Sequence, residues 1–579
     1  MAFVASFSLQ NVQEPRPATL LLSLAELRPQ HALTLFSTLL YTPDAASTSI
    51  VTDSPYPDTL RSTRGRRSQF GSLSEKYSLD VDPRKWGSNL SVDVPEPDDY
   101  VYAPAHDMHA GSAHISKRAI SNLGCLFILI ICILGLFIGY PIATFQIHFV
   151  STQGGFNLGG LNASGQVPDI GNHGLIDLDT PSEAYTKPGW RDPSKRMQLV
   201  FSDEFNRDGR TFYPGDDAYW EAVDLHYWGT NNLEWYDPEA ITTRNGSLVI
   251  TLSRKETHDL HYQGVILPGA NNVLGLWPAI WTMGNLGRAC YGASLEGMWP
   301  YTYDACDVGT LANQTLNGEP KAATVDGDEG KGGFLSFLPG QRLSRCTCPG
   351  ESHPGPMHPD GTYVGRSSPE IDVYEAQINE NTFIAQVSQS GQWAPFNRAY
   401  DWNTTSDNLN ITDPAISQLN GFKGNVLQQA TSVVTNTNPE CYQLEEGCFS
   451  IYGFEYITWI ADNKIAWTLN ANGVGPDEAV QISARPVPQE PMYIIMNLGM
   501  SRNFGPVDFE HLTFPAYMTV DYVRVYQQEG SINIGCDPKD FPTKAYIEQY
   551  LESYQNPNLT TWRDDFKQPF PKNRLLGEC

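Results

Sequence analysis

The chain has 579 residues, with 38 Lys and Arg against 65 Asp and Glu, for a formal charge of −27. Residues 1–122 hold 11 basic and 13 acidic side chains, so nearly all of that charge belongs to the rest of the chain. A body this acidic argues against nucleic acid and anionic lipid head groups as partners, while its 28 Tyr and 13 Trp suit either a sugar-binding surface or a β-rich core.

Taken in order, residues 1–122 read as a disordered tail rich in Ser, Thr, Pro, Asp and Arg, with a basic cluster over Arg61–Ser68. The leucine-rich run Ala18–Tyr41 is broken by Glu26, Arg28, Pro29 and His31 and lacks the form of a signal peptide. Leu123–Thr144 is a stretch of 22 residues without a charge, and as a helix it would span roughly 33 Å, enough for a bilayer core. Lys117 and Arg118 precede it, and no Lys or Arg follows until Lys187. The positive-inside rule therefore predicts a single-pass signal-anchor with a cytosolic N-terminus and a luminal or extracellular body, that is, a type II membrane protein of the secretory pathway.

Six N-x-[ST] sequons follow the apolar run, at Asn162, Asn245, Asn313, Asn403, Asn410 and Asn558. Eight cysteines also follow it, an even number that suggests disulfides in an oxidising compartment, with Cys441 and Cys448 a candidate local pair. Cys346 and Cys348 have the wrong spacing for a zinc knuckle and no His partners nearby, so no metal site and no cofactor is expected.

Residues 145–190 read as a Gly-, Asn- and Asp-rich stem. From there to residue 530, short strand-like runs such as Ser247–Leu252, Ile371–Ala376, Ile465–Leu469 and Met518–Tyr526 alternate with turn signals, and long helical periodicity is absent. This pattern predicts an all-β body, a sandwich or jelly roll. Residues 531–579 read as a charged, aromatic tail with one short helix near Thr543–Tyr554.

The chemistry concentrates in Glu370-Ile371-Asp372-Val373-Tyr374-Glu375. On a regular strand Glu370 and Asp372 share a face and Glu375 does not. A one-residue bulge near Val373–Tyr374 would return Glu375 to that face. The Glu backbones would then stand roughly 13 Å apart, and side chains leaning inward could bring the carboxyl groups to about 5–5.5 Å, the separation of a retaining glycosidase. Asp372 between them could keep their protonation states apart. Three acids alone are equally compatible with a polar strand face.

That hexapeptide resembles the E-x-D-x-x-E catalytic strand of glycoside hydrolase family 16, the laminarinase-like β-jelly rolls. Gly275–Trp281 is similar to that family's cleft strand, and Phe201–Phe205 and Val520–Tyr526 are similar to its first and last strands. Met283–Arg288, Trp299–Asp304 and Cys346–Glu351 narrow the resemblance to the fungal membrane proteins associated with β-1,6-glucan synthesis, across roughly residues 116–579. The resemblance implies a concanavalin-like jelly roll and β-glucan as the polysaccharide partner, alongside other wall-synthesis proteins. It also implies Glu370 as nucleophile, Glu375 as acid/base and Asp372 assisting. Trp277 and Trp281, four apart on one strand face, read as a stacking platform for glucosyl rings or as core, and Trp393 as a further cleft residue.

Two departures stand out. The strand after the catalytic one reads Gln386-Val387-Ser388-Gln389-Ser390 where laminarinase-like relatives carry a His. In addition, His261–Gly264 runs straight into Val265–Gly269, where the family carries a further strand pair. That loss would leave backbone groups unpaired unless a rearrangement compensates. The sequence thus supports a β-glucan glycosidase or transglycosylase of wall assembly, with a non-catalytic glucan-binding scaffold as the rival reading. An adhesion receptor finds no recognisable signalling domain in the N-terminal segment.

Overall fold

The computed structural model describes residues 2–8 and 174–579, apart from 214–215, 259, 265–273, 442–447, 536 and 557. The predicted membrane anchor, most of the N-terminal tail and Asn162 lie outside the described residues. No helix among the described residues is long and apolar enough to cross a membrane.

The architecture is mostly β, with few helices. One sheet runs β12 (Leu409–Ile411), β18 (Lys464–Leu469), β17 (Thr458–Ala461), β16 (Ser450–Glu455), β1 (Ala2–Ser8), β20 (Ala516–Gln528), β3 (Arg196–Asp203) and β2 (Thr186–Pro188). The start of β20 pairs instead with β7 (Ser247–Leu252), which pairs with β6 (Ile241–Arg244). The second sheet runs β13 (Ser417–Leu419), β15 (Gln428–Asn436), β11 (Ala385–Trp393), β10 (Glu370–Ile378), β9 (Trp277–Gly284) and β19 (Met492–Gly499), with β14 (Gly424–Asn425) beside β15. A small third sheet joins β4 (Leu225–His226), β5 (Glu234–Tyr236) and β8 (Tyr262–Gly264).

The period-2 alternation of these strands turns one face of each large sheet inward. Ile250, Val520, Val523, Trp459 and Trp467 of the first sheet bury in one core with Ile371, Val373, Val387, Trp393 and Val433 of the second. Trp459 and Trp467 stack face to face at 4.1 Å within it. The outer face of the second sheet is left to form a groove.

Three boundaries differ from the sequence reading. The end of the predicted stem belongs to the body, since β2 pairs with β3. Residues 531–579 are not a free tail: two short helices, Lys544–Gln549 and Leu551–Gln555, bury Tyr546, Ile547 and Tyr554 with Trp562 against Leu286, Met298 and Leu343. Apolar area of this size drives docking regardless of nearby charge.

The third difference is β1. Ala2–Ser8 hydrogen-bonds to β16 on one side and β20 on the other, so this strand is paired on both edges; the shortened segment after Gly264 lies outside the described residues. A single membrane crossing at 123–144 would separate that strand from its neighbours, so this pairing and the predicted cytosolic N-terminus exclude each other within one molecule.

Between β9 and β10 the chain makes a long excursion, residues 285–369, built from turns and short helical pieces. Disulfides Cys306–Cys346 and Cys348–Cys579 hold it, the second tying it to the C-terminal residue. The fully buried Arg366 fixes its return, donating Nε and Nη2 to the two oxygens of Glu490 at 2.7 Å each. The expected pair Cys441–Cys448 is also present. Cys346 and Cys348 are thus consumed by separate disulfides.

Candidate active site

The site begins with a bulge in β10. Against β9, Asp372 pairs with Trp281 and Tyr374 with Ile280, leaving Val373 extra; against β11, the register slips between Asp372 and Glu375. Val373 and Tyr374 both point into the core, each fully buried, and Glu375 therefore returns to the face of Glu370 and Asp372. This is the bulge that the acid spacing predicts.

Bulging leaves backbone carbonyls without ladder partners, and two buried side chains supply them. Trp459 Nε1 donates to the Asp372 carbonyl at 2.8 Å. Gln389 Nε2 donates to the Val373 carbonyl at 2.9 Å and to the Ile460 carbonyl at 2.9 Å, linking the two sheets behind the site.

Each Glu of β10 receives an indole N–H. Trp277 Nε1 donates to Glu375 Oε1 at 2.9 Å, and Trp299 Nε1, carried by the long excursion, donates to Glu370 Oε2. Asp372 Oδ2 accepts from Ser390 Oγ at 2.7 Å and from Gln392 Nε2 at 2.9 Å. These donors occupy β11, where Ser390 lies opposite Asp372 and Gln392 opposite Glu370.

Burial dominates the electrostatics. It raises Glu375 to about 8, with the charge of Asp372 adding to it and the Trp277 bond opposing. Glu370 is pushed well above the carboxylate range by burial and then by Asp372 and Glu375, with the Trp299 bond opposing. Asp372 is raised by burial and drawn back by Ser390, Gln392 and Glu370. Three such carboxyls cannot all ionise together, so near neutral pH the cluster retains a proton, as acid catalysis requires.

The three acids open on a groove of about 1510 Å³ that also reaches Tyr227, Trp228, Trp281, Arg288, Tyr493 and Phe422. Its floor beyond the acids is hydroxyl-rich, with Ser388 Oγ and Ser432 Oγ 2.9 Å apart on β11 and β15. Among the described residues no group of His, Cys, Asp and Glu is arranged to hold a metal.

The aromatic expectations are met unevenly. Trp281 lies in the groove, its Nε1 donating to Asn497 Oδ1 at 2.7 Å. Trp277 is in the groove too, but one face is covered by Phe504, stacked at 4.3 Å and 3°, and its N–H is committed to Glu375; it braces the acid. Trp393 is a correction: it is fully buried in the core with Nε1 donating to Thr431 Oγ1 at 2.8 Å, because Gln392 takes the groove-facing position of that alternation. The five described sequon asparagines, Asn245, Asn313, Asn403, Asn410 and Asn558, are exposed.

Sequence reasoning missed Trp299, Gln389, Ser390, Gln392 and Trp459 as parts of the site. Trp299 is 71 residues from Glu370, and nothing local signals that contact. Ser390 and Gln392 were visible in principle, since a buried acid needs donors on the neighbouring strand.

A family model described as beta-glucan synthesis-associated protein SKN1/KRE6/Sbg1 matches residues 88–267 and 263–579. The chain is 38% identical over 529 residues to the beta-glucan synthesis-associated protein SKN1 of Candida albicans, covering 84% of this chain and 67% of that protein. It is 38% identical over 533 residues to the beta-glucan synthesis-associated protein KRE6 of Saccharomyces cerevisiae, covering 85% and 70%. Among solved structures, it is similar to the catalytic domain of an endo-1,3-beta-glucanase (laminarinase) from Thermotoga petrophila, with 17% identity and a TM-score of 0.31, covering 58% of this chain and 100% of that one. The endo-beta-1,3-glucanase from Pyrococcus furiosus matches with 16% identity and a TM-score of 0.31, covering 59% and 98%.

Proposed function

The chain belongs to the beta-glucan synthesis-associated SKN1/KRE6/Sbg1 family, and from that premise we propose that its body is a β-glucan-active retaining glycosidase or transglycosylase of cell-wall assembly. The observation that carries this reading is the bulged strand that sets Glu370, Asp372 and Glu375 on one face of a groove, with an indole N–H on each Glu.

In the first step the Glu370 carboxylate attacks the anomeric carbon. The glycosidic C–O bond breaks, and the leaving oxygen takes the proton of Glu375, giving a glycosyl-enzyme. In the second, Glu375 as carboxylate takes a proton from an incoming hydroxyl, whose oxygen displaces Glu370 from the anomeric carbon. Water as acceptor gives hydrolysis and a glucan hydroxyl gives transfer. The family description, synthesis-associated, favours transfer. The apolar run at 123–144 is the proposed membrane anchor, and the exposed sequon asparagines are proposed glycosylation sites of a body in the secretory pathway.

The test is incubation with an activated 2-deoxy-2-fluoro glucoside, followed by peptide mass analysis. An adduct on Glu370 is the expected result. A folded protein that binds glucan and forms no adduct would instead be a glucan-binding scaffold. Product analysis with defined β-1,3 and β-1,6 oligoglucosides then separates transfer from hydrolysis.

A further inference from the structure

Asp372 stands between the two Glu residues, and its own partners decide what it does to them. Its Oδ2 takes two donors from β11, Ser390 Oγ at 2.7 Å and Gln392 Nε2 at 2.9 Å, and Gln392 Nε2 is also 3.3 Å from Ser390 Oγ. Asp372, Ser390 and Gln392 are 2%, 1% and 6% exposed, so these bonds act where water does not screen them. The backbone carbonyl of Asp372 is held independently by Trp459. The carboxylate is thus clamped at one oxygen, and its contact with Glu370 is the remaining polar interaction on the groove side.

Among the described residues no cation acts on Asp372 or Glu375, although Arg288 and Lys539 line the same groove. Trp281 lies opposite Asp372 on β9, Trp299 and Trp277 contribute N–H donors to the flanking acids, and Glu375 is the remaining acid on β10. Tyr227, and Tyr493 on β19 of the same sheet, are titratable groups that act on Glu370. Burial holds both phenols above their ordinary range, hence neutral. The work of stabilising an Asp372 anion therefore falls to neutral donors on β11.

We propose that Gln392, with Ser390, is a positioning residue of this site: the two donors fix the Asp372 carboxylate and so govern how readily Glu370 sheds its proton to become the nucleophile. The role follows from charge-assisted hydrogen bonding. Two donors to one carboxylate oxygen lower its proton affinity and hold Asp372 as the anion, and that charge keeps the shared proton on Glu370. Without the donors Asp372 takes the proton more readily and Glu370 ionises at lower pH. The position of the donors adds a geometric reason. Gln392 sits directly across from Glu370, so its amide bridges the register position of the nucleophile to the acid beside it.

This inference rests on the retaining reading for its catalytic meaning, but its test does not need turnover. Infrared difference titration of the whole protein, with Glu370→Gln as the blank, follows the shared carboxyl proton directly. Gln392→Leu and Ser390→Ala are each expected to move Glu370 ionisation about one pH unit downward, a roughly tenfold loss in its proton affinity, and Ser390→Thr, which keeps the hydroxyl, to leave it in place. In turnover the same variants should shift the acid limb of the pH–rate profile downward and, with Asp372 no longer held in place, lower kcat with KM little changed. Release at unchanged pH in folded Ser390→Ala and Gln392→Leu overturns the proposal. A shifted titration in a protein that turns over no glucan overturns the proposed activity and leaves the assignment of these donors standing.

Discussion

Trp277 Nε1 points at Glu375 Oε1 from 2.9 Å, and the same indole lies flat on Phe504. A ring pinned by stacking presents its N–H in one direction only, which makes it a positioned donor to the acid. Trp277→Phe keeps the stacking and removes the donor. Because that bond draws the Glu375 proton affinity down, its loss should raise it, moving the alkaline limb of the pH–rate profile upward and lowering kcat about tenfold, in line with roughly 1.5–3 kcal/mol for a bond to a charged group. An unmoved limb would make Trp277 a packing residue.

A second expectation concerns pH and needs no variant. Glu375 is raised to about 8, above its unfolded value near 4.5, and Glu370 is raised as well. The productive form, with Glu370 ionised and Glu375 protonated, is therefore a minority form of the cluster that is lost as pH rises through about 8. Activity should fall as pH rises through about 8. Stability follows the same sign: a carboxyl with a raised folded value favours the native state most below its unfolded value, and that contribution is lost between about pH 4.5 and 8 at roughly 1.4 kcal/mol per unit. Melting temperatures measured from pH 5 to 9 should decline, and Glu375→Gln should flatten the decline.

Behind the acids, Gln389 satisfies the carbonyl that the bulge exposes and ties it to Ile460. Gln389→Leu leaves two buried acceptors without their donor, an expected loss of about 1–3 kcal/mol each. It also loosens the bulge that turns Glu375 toward the groove. Denaturant melts should show the loss, and kcat should fall at temperatures where the variant remains folded. Full activity in a destabilised variant would separate the bulge from the chemistry.

The pairing of β1 with β16 and β20 has a consequence for topology. A glycosylation acceptor engineered just after Ser8 should be modified in cells if this strand shares a compartment with the body. Modification of the sequons in the body alone would place residues 2–8 across the membrane, as the basic residues before the apolar run predict. The edges of β16 and β20 would then be open to another strand.

What could be read from the sequence follows from how locally each feature is determined. The strands, the acid spacing and the bulge are written within a few residues, because pleat alternation makes a misplaced acid visible. The orientation of Trp393 was misjudged because Gln392 and Trp393 are adjacent and either could have faced the groove. The register against β10 decides it, and register is a tertiary property. The docking of residues 531–579 was obscured by their charge, although Tyr546, Tyr554 and Trp562 carried the opposite signal. Trp299 could not be found at all by local reasoning, since its partner is 71 residues away.

That distance has a further consequence. Trp299, which donates to Glu370, is not part of the sheet that carries that acid, but of an outer layer stitched by Cys306–Cys346 and Cys348–Cys579. The proposed chemistry at the sheet would then depend on oxidative maturation of the periphery. A chain folded in reducing surroundings would keep its three acids and lose the hand that steadies the first of them.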